Sequence, residues 1–115
     1  MRNQEGTATS RLQQLLEYYR LDPGDEFTRF AIASEYLRMG DRPHARTFLE
    51  GLVRDSPDYV GTYLHLGKLY EDVGERDLAG ETYRLGIDVA ARLRDDHARS
   101  ELQAALMEME LGDEW

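Results

Sequence analysis

Val60 to Leu93 reads VGTYLHLGKLYEDVGERDLAGETYRLGIDVAARL, and this stretch decides the fold. Two apolar-periodic runs flank a single glycine, Gly74. In the first run Tyr63, Leu66, Gly67 and Tyr70 fall at i, i+3, i+4 and i+7, the spacing of one helix face. In the second, Leu78, Ala79, Tyr83, Leu85, Gly86 and Val89 line a longer stretch. A helix ends well on a residue with φ > 0 just past its last turn, which glycine adopts most readily. The stretch therefore predicts a helix, a tight turn at Gly74 and a second helix.

The same punctuation recurs 34 residues upstream. Asp22-Pro23 aligns with Ser56-Pro57, Thr28 with Thr62, Tyr36 with Tyr70, Gly40 with Gly74, Arg42 with Arg76 and Ala45 with Ala79. Pro23 and Pro57 stand where a helix has to stop. Six helices follow. The first is expected over residues 10–20, with Ser10 and Gln13 spaced as a capping box and Leu12, Leu15, Leu16 and Tyr19 on one face. The second covers 26–39 behind an Asp25 cap, and the third starts near Arg42 behind Asp41, with Pro43 in its first turn. The fourth covers 59–73 behind Asp58, the fifth 76–93, and the last 96–111 behind Asp95 or Asp96. Residues 1–9 are expected to be flexible and 10–111 to form one helical domain. Short connections make sequential helices antiparallel neighbours.

Composition agrees. The 115 residues include 16 Leu and 10 Ala against four Val and two Ile, a ratio that favours helix over strand. The chain has no cysteine, so disulfides and thiolate metal sites are excluded. Its net charge of -9 argues against nucleic acid or an anionic membrane as partner, since both call for a basic footprint. No apolar run reaches the roughly 18 residues of a membrane span. Met1 to Ser10 is polar, with no secretory signal, so the expected location is cytoplasmic. The basic residues are 13 Arg and one Lys, Lys68, as either a salt-adapted acidic surface or GC-rich coding would give.

The period and its residues resemble the tetratricopeptide repeat, a 34-residue helix–turn–helix unit with the pattern W-x2-L-G-x2-Y…A-x3-F…P. The downstream copy reads Tyr63-x2-Leu66-Gly67-x2-Tyr70, then Ala79-x3-Tyr83. The upstream copy reads Arg29-x2-Ile32-Ala33-x2-Tyr36, then Ala45-x3-Leu49, then Pro57. Arg29 stands where the family has an aromatic, and Ala91 where it has the closing proline. The resemblance implies an all-α protein whose antiparallel helix pairs form a short right-handed superhelix. It has repeats at 26–59 and 60–93, an N-terminal helix like the second half of a repeat, and a capping helix at 96–111. Small residues at Ala33, Gly67, Ala45 and Ala79 let paired helices approach, and Tyr36, Tyr70, Leu49 and Tyr83 fill the space around them.

The resemblance also implies where a partner would sit. In the family, the first helix of each unit lines a concave peptide groove. Its positions fall on Phe27, Phe30, Ser34, Leu37 and Arg38, then on Gly61, Leu64, Lys68, Glu71 and Asp72. That groove is expected to be apolar through Phe27, Phe30, Leu37 and Leu64, positive at Arg38 and Lys68, and acidic at Glu71 and Asp72. The Lys and Asn with which some members clamp a terminal carboxylate are replaced by Phe30 and Ser34.

Catalytic constellations are not visible. His44, His65 and His97 share no i, i+3 or i+4 spacing, and Glu71-Asp72 and Asp95-Asp96 are adjacent residues that diverge on a helix. No phosphate-binding glycine loop or nucleophile elbow occurs. The expected function is a non-catalytic interaction module that holds a peptide or partner helix in the groove, with no cofactor and no metal. The alternative is a homo-oligomer that uses the groove or the last helix, with its Met107, Met109 and Trp115, as a self-interface.

Overall fold

The computed structural model describes the backbone of residues 6–112 and the side chains of residues 11–112. Among the described residues there are six helices and no strand: α1 (Gly6–Leu21), α2 (Glu26–Arg38), α3 (Arg42–Asp55), α4 (Gly61–Asp72), α5 (Arg76–Arg92) and α6 (Asp96–Gly112). Contacts group them into two compact units that divide between Leu52 and Val53.

In the first unit α1 packs along α2. Leu12, Ile32, Ala33, Ala45, Leu49 and Leu52 supply its buried core. Tyr19 meets Phe48 edge to face at 5.2 Å, and Tyr36 lies over Phe48 at 6.1 Å and stacks on His44 at 4.9 Å. Asp25 caps α2 by accepting from the Thr28 amide at 3.0 Å and from its hydroxyl at 2.6 Å. Those bonds hold its carboxyl below the usual carboxylate range. Asp41 caps α3 through the His44 amide at 3.2 Å and also accepts from the His44 ring.

In the second unit α4 packs on α5, and α6 lies against both. Two glycine–tyrosine interlocks set the α4–α5 distance. A Cβ on Gly67 would stand 2.2 Å from the Tyr83 ring, and one on Gly86 would stand 2.5 Å from the Tyr63 Cβ and 3.0 Å from Leu102. The pairs 67–83 and 63–86 run in opposite senses along the two helices, as antiparallel packing requires. Both tyrosines are buried, and their hydroxyls still find acceptors, the Pro57 carbonyl for Tyr63 and the Glu71 carboxylate for Tyr83.

The same turn ends three helices. Gly40 and Gly74 adopt φ of 81° and 82°, and Arg94 adopts 59° at the end of α5. In each case the next residue donates its amide back to the helix: Asp41 to Tyr36, Glu75 to Tyr70 and Asp95 to Ala90. Asp95, rather than Asp96, then caps α6 through the Ala98 amide at 3.0 Å.

Several details differ from expectation. Helix α1 starts at Gly6, so Ser10 lies inside it rather than capping it, and residues 6–9 are helical; residues 1–5 lie outside the described residues. Helix α4 starts at Gly61, two residues late, and Asp58 does not cap it. Instead Asp58 accepts from Arg92 at the end of α5, at 2.6 Å. The residue 34 places after Asp25 is Tyr59, which offers no carboxylate, so the buried Thr62 hydroxyl lacks the acceptor that Thr28 has. Of the apolar residues along α5, Leu85 is exposed.

Candidate functional site

Helix α2 carries the first set of groove residues. Phe27 sits in its first turn with 73% of its surface exposed. It is the most exposed of the large apolar side chains described. Phe30, Ser34 and Leu37 are half-buried and follow the same face. Arg38 is exposed at the C-terminal end but is not a free positive charge, because it pairs with Glu35 one turn earlier. Glu35 is itself buried and also accepts from Arg11 of α1 at 3.1 Å. Nothing in the sequence marks this acid as buried. Its i, i+3 relation to Arg38 was the legible signal, whereas its partner on α1 was not.

Helix α4 carries the second set. Gly61 is exposed in its first turn and Leu64 is half-buried. Lys68 is exposed and makes no ion pair among the described residues, so it offers an uncommitted ammonium. Glu71 and Asp72 are exposed at the C-terminal end. Glu71 is partly occupied, since it accepts from the Tyr83 hydroxyl. Burial first, and that bond second, push the Tyr83 phenol far above its ordinary value. A shallow cavity of about 290 Å³ opens beside Glu71, lined also by Gly74, Arg76, Glu108, Met109 and Gly112.

Each histidine is held within its own helix neighbourhood. His44 is tied to Asp41, His65 to the Gly61 carbonyl at 3.1 Å, and His97 lies 3.7 Å from Glu101. No group of three or more metal-ligating side chains gathers among the described residues. Taken separately, α2 in the first unit offers an aromatic and aliphatic face, and α4 in the second offers a face with Lys68, which makes no ion pair among the described residues, and an acidic end. These are the means of recognising a chain, through apolar anchors and charge.

The geometry defines an all-α repeat protein built from antiparallel helix pairs. No family model and no curated protein matches the sequence. Solved structures do. A tetratricopeptide repeat domain protein from Salinibacter ruber, solved as a crystal structure, is 46% identical, with 75% of this chain and 96% of that one aligned and a TM-score of 0.73. A solution structure of a tetratricopeptide repeat domain protein from Salinibacter ruber gives 47% identity, 77% and 90% coverage and a TM-score of 0.74. The TPR2B domain of yeast Sti1, solved in a complex with pHsp70, shares the fold at a TM-score of 0.84 with 15% identity, covering 94% of this chain and 86% of that one. The chain belongs to the tetratricopeptide repeat family.

Proposed function

We propose that this protein is a non-catalytic interaction module that binds a peptide or a partner helix through the outward faces of α2 and α4. The observation that carries the reading is Phe27. A phenylalanine this exposed, with Phe30 and Leu37 following on the same helix, is the kind of anchor that interfaces bury. Ser34 and Arg38 would border the anchor on α2. On α4, Leu64 would extend the apolar contact, Lys68 would meet an acidic group, and Glu71 with Asp72 would meet a basic one. The Sti1 neighbour was solved with a bound partner, and the shared fold makes a similar use of this chain reasonable. The clamp for a terminal carboxylate is not part of this reading, since Phe30 and Ser34 occupy its places.

Affinity capture with native protein and with a Phe27→Ser, Lys68→Glu variant tests the reading. Both residues are exposed, so the variant is expected to fold. A partner recovered by the native chain and lost from the variant supports the assignment. Equal recovery by both contradicts it.

A further inference from the structure

The cavity beside Glu71, about 290 Å³, opens where α4 ends, α5 begins and α6 finishes. Glu71 of α4, Arg76 of α5, and Glu108 and Met109 of α6 supply its side chains. Gly74 and Gly112 supply bare backbone, and a Cβ on either would meet no described atom within 4 Å. All of these residues belong to the second compact unit. The described residues stop at Gly112, on the edge of this cavity.

Three residues follow, Asp113, Glu114 and Trp115, all outside the described residues. Trp115 is the one tryptophan of the chain. Its place in the sequence bears on the cavity. Glu108, Gly112 and Trp115 stand at i, i+4 and i+7, the spacing of one helix face, and the first two line the cavity. One further helical turn therefore sets position 115 on the cavity side. The chemistry of the lining agrees. An indole calls for a broad apolar contact and an acceptor for its N–H. Met109 offers a half-buried thioether, which packs well against an aromatic ring. Glu108 is exposed and makes no hydrogen bond or ion pair among the described residues, so its carboxylate is open to an indole N–H. Glu71 already accepts from Tyr83. Proximity favours this occupant over a free ligand, because a group on a short tether has an effective concentration on the order of millimolar.

We propose that Trp115 seals the cavity, with its ring against Met109 and its indole N–H on the Glu108 carboxylate. The seal is an autoinhibitory contact. Glu71 lines the same cavity and is the acid with which the α4 face would meet a basic group, so a partner reaches it there only as Trp115 leaves. That competition rests on the peptide-binding reading, whereas the contact itself does not and is tested on the free chain.

Fluorescence gives the first measurement, since no other indole contributes. In dilute native protein the emission is expected to lie to the blue of its value in denaturant. Acrylamide quenching is expected to be several-fold weaker than for N-acetyltryptophanamide. Solution NMR gives the second. The Met109 methyl is expected to show nuclear Overhauser contacts to the indole protons and an upfield ring-current shift. Trp115→Ser is expected to remove that shift, with circular dichroism checking that the variant stays helical; where it does not, the indole–Met109 contact in the native chain decides alone. Quenching as strong as that of the free compound overturns the proposal. So does a protected indole with no contact to Met109, which would be buried elsewhere, and so does protection that grows with protein concentration, which would mean that a second copy covers it. No partner enters these measurements, so a missing seal is told apart from a failed peptide-binding reading, which shows only in the affinity capture.

Discussion

The two repeats reach the same packing with different side chains. At equivalent positions the first copy has Ala33 and Leu49 where the second has Gly67 and Tyr83, and Arg29 and Leu52 where the second has Tyr63 and Gly86. In the second copy a helix gives up its Cβ so that a tyrosine ring can lie on the bare backbone, twice over and in opposite directions. In the first copy neither position is a glycine: Ala33 and Leu49 are aliphatic, and a buried Arg29 stands where the second copy has Tyr63. At one crossing the repeat holds the summed volume constant, since Ala33 with Leu49 fills about the space of Gly67 with Tyr83; at the other it does not, since Arg29 with Leu52 is larger than Tyr63 with Gly86. The ends differ as well. Asp25 caps α2 directly, while in the second copy the nearby acid, Asp58, reaches across to Arg92. The two compact units also differ in charge: residues 1–52 carry -1 and residues 53–115 carry -8.

The largest effect is expected where the second copy has no slack. Gly67→Ala drives a methyl into the Tyr83 ring and should destabilise by about 3 kcal/mol or more, read from denaturant unfolding. The double variant Gly67→Ala, Tyr83→Leu recreates the first copy's pair and should recover part of that loss. A coupling above about 1 kcal/mol is expected between the two sites, because they touch. Strict additivity would break the volume comparison.

Alkaline pH separates the copies next. Tyr83 is held neutral in the folded state, so its folded pKa lies above its unfolded one. Its contribution is complete below about pH 10 and is lost as pH rises beyond that, because the unfolded chain releases the proton first. Melting temperature should therefore fall above about pH 10. Tyr83→Phe should flatten that fall, and an unchanged alkaline profile would sink the assignment.

The caps give a smaller contrast. Asp25→Ala removes two bonds to Thr28 and should lower the melting temperature by several degrees. Asp58→Ala removes only an exposed ion pair and should do less. The Asp25 contribution is present above the ordinary carboxylate pKa and is lost as pH falls through its depressed folded value. The smallest effect is a gain. Arg94→Gly relieves a left-handed backbone that disfavours a side chain by about 1–2 kcal/mol. After the added chain entropy of glycine, a net stabilisation of about 0.5 kcal/mol is expected. A loss would mean that Arg94 makes compensating contacts.

Much of this was legible in the sequence. Gly40 and Gly74 announced their turns because few other residues adopt φ > 0 cheaply, and Asp25 and Asp41 announced their caps by spacing, whereas spacing left the α6 cap open between Asp95 and Asp96 until the Ala98 amide bond decided it. Arg94 announced nothing, since its φ is imposed by the short turn into α6 and no side-chain preference signals it. Asp58 looked like a cap because its true partner, Arg92, lies 34 residues away in sequence. The Gly86 interlock was hidden for a similar reason, because a glycine inside a helix has meaning only once the tyrosine facing it is known. Among the site residues, the exposure of Phe27 follows from its place in the first turn of α2. The neutralisation of Arg38 needed Glu35, whose burial depends on α1 packing over it.

The central claim is that a partner is recognised through the α2 and α4 faces. Amide hydrogen exchange with and without a captured partner tests it most directly. New protection is expected in α2 around Phe27 to Arg38 and in α4 around Leu64 to Asp72, with α3 and α5 unchanged. Protection confined to α3 and α5, or to α1 and α6, would contradict it.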